Sequence, residues 1–222
     1  MPAAHGRTTS RRQRRLALAG LVAPAVLVLG VLIAGLRWPG YDHRTQNVSD
    51  LGGIEAPIPA LLNGAFILFG LLVMVFAVEL SSAGADRSQA RIGYLSVGYF
   101  GVTQVVLGVT PCTPGCADGT PVDLVHIAAA TTGLIAVGIG MLSYWRAART
   151  GSGPSPYITL SVWSATLTFV MLATWLAAVG IDPERLHAGL LQRTLLGVVL
   201  IWLMVTAARL LRPPRAGGLH IQ

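Results

Sequence analysis

Residues 57–80 read PIPALLNGAFILFGLLVMVFAVEL. Glu79 is the sole ionisable group in this run, and Asn63 is the other strongly polar one. A helix rises 1.5 Å per residue, so a hydrocarbon core about 30 Å thick needs roughly 20 apolar residues to cross it. The stretch therefore reads as a membrane span. Five more runs meet the same test: Leu16–Leu36, Ile92–Thr110, Asp123–Trp145, Tyr157–Gly180 and Leu186–Leu211. The expected fold is an all-α, polytopic bundle of six transmembrane helices. One membrane domain covers 16–211, between a basic segment 1–15 and a tail 212–222 that Pro213 and Pro214 cut off from the last helix.

Composition agrees. The chain is 53% hydrophobic and 11% charged, less than half the share a soluble domain carries. Such a chain cannot clothe itself in charge, so lipid must cover it. Its net charge of +7 does not point to nucleic acid. The basic residues form short clusters between apolar runs, with no basic stripe interleaved with aromatics and no phosphate-cradling loop. The first run follows Arg11, Arg12, Arg14 and Arg15 as a signal peptide would. It is too long for a typical apolar signal core and reads as a retained helix.

Arginine counting sets the orientation. With the N-terminus in the cytoplasm, 12 of the 16 Arg lie inside, and Arg37, Arg44, Arg185 and Arg193 lie outside. The expected location is the cell inner (plasma) membrane, with both termini cytoplasmic. Acids partition the other way: Asp42, Asp50, Glu55, Asp118, Asp123, Asp182 and Glu184 fall outside, with His43, His126 and His187. Insertion rules do not require this, because acids contribute little to topology. The residues mark a solvated surface or a site.

Two constellations share a spacing. Asp123 and His126 open the fourth run, and Glu184 and His187 open the sixth. Residues three apart share a helix face, and a carboxylate and a His so placed on two helices can hold a divalent ion such as Zn. Capping is the competing reading, since anions favour helix N-termini. In the first outer loop, Ser49 is a candidate nucleophile, with His43 or His126 as base and Asp50 beside it; Ser49-Asp50 reads equally as a helix cap. Arg193 lies about two turns inside the sixth helix, where a charge normally faces the bundle or a wet cavity. Asn63, Gln104 and Gln192 lie at similar depth and extend a polar layer that could bind substrate. Cys112 and Cys116 flank a Pro-Gly turn on the oxidising side, which favours a local disulfide, with a thiolate metal site second. The Ser and Thr of the fifth helix, including Ser161 and Thr168, read as helix-packing glue.

These motifs resemble a known family. Val48-Ser49-Asp50-Leu51-Gly52-Gly53 with Asn63 and Gly64, the Cys112-Thr-Pro-Gly-Cys116 loop, His126 opening a helix, and Gly189-Leu-Leu-Gln-Arg193 are similar to the prokaryotic six-helix membrane family catalogued as domain of unknown function 998. The resemblance covers about residues 15–212 and implies a six-helix membrane fold without an assigned activity. The outward His, Asp and Ser groups also resemble those of membrane hydrolases like the alkaline ceramidases. Those typically have seven helices and a His pair four apart, which this chain lacks.

Two functions compete. One is a metal-dependent hydrolase or transferase on a lipid or lipid-linked substrate, with Asp123, His126, Glu184 and His187 on the metal and Arg193 on an anionic head group. The other is a non-catalytic lipid-binding or assembly subunit, whose partner is a lipid or another membrane protein. Haem or quinone redox chemistry through His126 and His187 comes third.

Overall fold

The computed structural model describes residues 11–81, 87–149, 156–181 and 187–211. They form six helices, α1 (Arg11–Leu36), α2 (Pro59–Leu80), α3 (Arg87–Val109), α4 (Pro121–Arg149), α5 (Pro156–Ile181) and α6 (Ala188–Leu211). All six contain a segment long and apolar enough to cross a membrane. The expected all-α six-helix class holds. Proline opens α2, α4 and α5, where its missing N–H costs nothing and its fixed φ suits a helix. Thr110 precedes Pro111, a position that disfavours helical ψ, and α3 ends one residue earlier.

Boundaries moved where arginines lead or trail an apolar run. The helix α1 begins at Arg11 inside the basic segment, α3 at Arg87 ahead of Ile92, and α4 runs to Arg149 past Trp145. Arginine is a good helix former, so the ladder can outrun the apolar stretch.

Each helix packs on its neighbours in sequence, and α6 returns to α1, closing a ring. Apolar side chains such as Leu29, Trp163 and Ile201 remain exposed on the outside, as lipid contact requires. Inside, Phe69 of α2 and Phe100 of α3 meet edge to face at 5.9 Å. Trp202 of α6 is fully buried and donates its indole N–H to Ser161 Oγ of α5 at 3.1 Å. Thr168 Oγ1 approaches Met141 Sδ of α4 at 3.9 Å. Both contacts fit the glue role read from the fifth helix, since small hydroxyl residues let helices close while satisfying polar atoms.

Contact between α2 and α3 depends on glycine. A Cβ at Gly70 would lie 2.4 Å from the Gly101 carbonyl oxygen, and one at Gly101 would lie 2.7 Å from the Gly70 oxygen. The two backbones touch there.

The ring overturns one expectation. A shared ion between His126 and His187 needs α4 and α6 as packed neighbours. Instead α4 packs on α3 and α5, and α6 on α5 and α1. Ring closure through α1 puts α5 between the two helices.

Candidate functional site

The first loop, residues 37–58, folds over one end of the ring and is tied to most of it. The Arg44 carbonyl accepts the Leu190 N–H at 3.0 Å. The Val48 N–H donates to Gln192 Oε1 of α6. Trp175 of α5 donates its indole N–H to Asn47 Oδ1 at 3.2 Å. Asn63 of α2 donates to the Gly52 carbonyl at 3.0 Å. Asp50 closes the loop on itself, accepting the Asn47 N–H on Oδ2 at 2.7 Å, and on Oδ1 it takes the Gly115 N–H at 2.9 Å. The Ile54 N–H reaches the Cys112 carbonyl at 3.2 Å. Val48, Leu51 and Ala56 are buried, so the loop also contributes apolar surface to the core.

Three spaces adjoin this lid. A small cavity of about 30 Å³ lies beneath it, lined by Ser49, Gln104, His126, Trp175 and Gln192 among others. Gln104 is 2% exposed, and its Oε1 has no hydrogen-bond partner among the described residues. A second pocket of about 260 Å³ opens between the loop and the Pro114-Gly115 turn, with Trp38, Asn47, Asp50 and Ile54 on its walls. A third, of about 370 Å³, is an apolar groove between α1 and α6, bounded by Leu27, Val31, Leu196, Gly197 and Leu200, with His43 and Arg193 in its lining.

Arg193 braces the lid. Its Nη1 donates to the Gln46 carbonyl at 2.8 Å and to the Gly189 carbonyl at 3.0 Å, and its Nη2 donates to the Tyr41 hydroxyl. Its carbon Cζ lies 5.5 Å from the Tyr41 ring centre. The Tyr41 hydroxyl donates to the Asn47 carbonyl at 2.7 Å. Burial pushes the Tyr41 hydroxyl up to about 12, against the pull of the Arg193 charge, so it stays protonated at neutral pH and serves both bonds. Every hydrogen-bond partner of Arg193 among the described residues is neutral. Dipoles hold its charge without cancelling it. His43 is exposed and presents its ring edge-on to Tyr41 at 4.9 Å. Desolvation, then the nearby Arg193 charge, lowers the His43 pKa below its ordinary value.

The sequence-derived groups scatter over this frame. Ser49, His43 and Asp50 face three different spaces, so the structure does not assemble them as a nucleophile, base and acid. Ser49 and His126 do share the small cavity. Ser49 is no cap for the second helix: it begins a 3-10 turn, Ser49–Gly52, and α2 starts at Pro59 without a side-chain cap. Asn63 and Gln104 are not beside Arg193; Asn63 holds the lid and Gln104 lines the cavity.

The proposed metal quartet does not form among the described residues. His126 is buried and His187 exposed. Asp123 is fully occupied in a capping box, where reciprocal bonds between an N-cap hydroxyl residue and an acid three positions on satisfy two orphan donors. Thr120 Oγ1 accepts the Asp123 N–H at 3.1 Å, and Asp123 Oδ2 accepts the Thr120 N–H at 3.1 Å. The same carboxylate takes the Thr113 N–H at 2.9 Å and its hydroxyl at 3.0 Å. Glu184 lies outside the described residues. The space beside His126 is far too small for a haem or quinone ring.

Cys112 and Cys116 are joined in a disulfide, as expected. A ring nitrogen of His126 lies within 4.8 Å of both sulfurs. His126 Nδ1 sits 2.7 Å from the Thr110 carbonyl oxygen, which can only accept, so Nδ1 carries the proton and Nε2 the lone pair in the neutral ring. Peptide mass spectrometry of protein alkylated before unfolding should find residues 112–116 linked and free of alkyl groups.

Neither Trp175 nor Thr110 stood out in the sequence as part of the site. Trp175 left a usable signal: an indole N–H within a span must find an acceptor. A family model described as Protein of unknown function (DUF998) matches residues 21–209. The chain belongs to this family. No curated protein and no solved structure matches it. For a DUF998 member, then, fold and membership are fixed, and function must be argued from the three spaces around the lid.

Proposed function

We propose that this multipass protein binds an anionic lipid, or the lipid moiety of a larger substrate, at the lid end of the bundle. One observation carries the reading. An apolar groove open along α1 and α6 reaches a guanidinium that has only neutral partners among the described residues. A fatty chain fits along Leu27, Val31, Leu196 and Leu200, and a phosphate or carboxylate head group fits at Arg193. A charge at this depth ordinarily faces a partner or water. The arginine asymmetry supports an orientation with the lid end away from the cytoplasm, and the lipid would then come from the outer leaflet. The disulfide at the same end supports that orientation.

To test it, the purified protein is delipidated and reconstituted in nanodiscs of mixed anionic and zwitterionic phospholipid. Native mass spectrometry should retain anionic lipid in preference. Retention matching the bulk composition would sink the proposal. The pH response has a definite sign. His43 is neutral to lower pH than a free imidazole, so at pH 7 Arg193 supplies the charge at the groove mouth. Retention should be flat from pH 8 to about 6.5 and tighten below that, as His43 gains its proton. His43→Gln should abolish the tightening.

The catalytic reading keeps one specific support, the shared cavity of Ser49 and His126 with the unpartnered Gln104 oxygen. A fluorophosphonate that labels the wild type and fails to label Ser49→Ala would favour an enzyme; no labelling leaves lipid binding as the better account.

A further inference from the structure

The Cys112–Cys116 bridge does little as a staple. It closes a ring of five residues, and the entropy a disulfide removes from the unfolded chain grows with loop length, so a short ring gives the least. Its loop is also held without it, by Thr113 on Asp123, by Gly115 on Asp50 and by Ile54 on the Cys112 carbonyl.

We propose that the bridge is a thiol–disulfide exchange site for a dithiol whose two sulfurs can join in an unstrained disulfide, with His126 carrying the proton. Four independent observations point this way. The two cysteines are unequal as residues: Cys112 is 1% exposed, whereas Cys116 is half-buried. Cys116 is therefore the cysteine nearer the surface, and Cys112 the one whose sulfur would leave into the protein. An imidazole nitrogen lies within 4.8 Å of both. A neighbouring imidazolium favours the thiolate form that leaving and attack require. Cys116 sits at φ 49°, and among the described residues it is the one non-glycine with positive φ. Such backbone is held against a local cost and concentrates at functional sites. Finally, the 260 Å³ pocket has Pro114 and Gly115 in its wall, so a docking space adjoins the reactive turn.

The chemistry balances as two displacements. A donor thiol loses its proton to His126 and attacks Cys116 Sγ. The Cys112–Cys116 bond breaks, and its electron pair goes to Cys112 Sγ, which takes that proton back from the imidazole. The donor's second thiol then attacks its own sulfur in the mixed disulfide. Cys116 leaves and takes up the second proton. The dithiol is oxidised by two electrons to a disulfide, and the cysteine pair is reduced by two.

The test uses the full-length protein in nanodiscs and dithiothreitol as the dithiol, with the oxidised peptide Cys-Thr-Pro-Gly-Cys as reference. Maleimide trapping of the folded protein should show reduction at least about tenfold faster than the peptide, and His126→Gln should remove that advantage. A bridge that resists the dithiol until the protein unfolds, or reacts at the peptide rate, would overturn the proposal. A second measurement does not depend on His126 variants folding. Cys112→Ser, which leaves Cys116, should be trapped as a mixed disulfide with glutathione disulfide, and Cys116→Ser should not. Equal trapping of both would overturn the assignment of Cys116 as the attacked sulfur.

Discussion

Gly101→Leu is expected to destabilise the protein by about 3 kcal/mol or more, the upper end of what forcing side-chain volume into a close-packed interface costs. The reason is local. A Cβ at Gly101 meets the Gly70 carbonyl oxygen at 2.7 Å and the Met74 backbone nitrogen at 3.0 Å. Backbone atoms cannot turn aside as the end of a flexible side chain can, so α2 and α3 must separate. Separation opens the edge-to-face contact of Phe69 and Phe100, the residues that immediately precede these two glycines. The internal control is Gly64→Ala on the partner helix α2, where an added Cβ meets nothing within 4 Å. Helix propensity alone then acts, and it favours alanine by up to about 1 kcal/mol. Unfolding in mixed micelles, followed by tryptophan fluorescence, should move in opposite directions for the two variants. Equal stability of Gly101→Leu and the wild type would mean that the helices do not touch at this crossing.

Arg193→Gln is expected to lose roughly ten- to a hundredfold in retention of anionic lipid, because a hydrogen bond to a charged group is worth about 1.5–3 kcal/mol. Glutamine keeps an apolar stem and one donor amide, so it separates charge from bulk. The lid should survive, since Leu190, Gln192, Asn63 and Trp175 also hold it. A change in lid packing would appear in the emission of Trp175, whose N–H bonds Asn47. Loss of anionic lipid with unchanged emission supports head-group binding. Unchanged lipid retention would mean that Arg193 serves the lid alone, through Gln46, Gly189 and Tyr41.

Reading the site from sequence succeeded where the cause was local and failed where it was not. The Asp123 carboxylate is consumed by Thr120, three residues before it, and by Thr113, ten before it. The capping alternative was visible in the order of residues. The pairing of His126 with His187 was not decidable that way. It depended on which helices are neighbours, and a repeated acid-x-x-His spacing says nothing of ring order. Arg193 stood out because a charge in an apolar run has no cheap explanation. Its partners Tyr41 and Gln46 lie about 150 positions away, and nothing in the residue pattern announced them.

The sequence by itself determined that the chain is a six-helix membrane protein, because hydrocarbon thickness sets a length for each apolar run and no other fold satisfies the backbone of such runs in lipid. It also favoured the local disulfide over a thiolate metal site, since four residues of separation leave the two cysteines within reach of each other. Tertiary structure alone decided the closed ring, the touching backbones at Gly70 and Gly101, and the folding of the first loop inward as a lid. In lipid, apolar faces gain nothing by leaving one apolar surface for another. Helix order therefore follows from shape, from close glycine contacts and from a few polar bonds between distant residues.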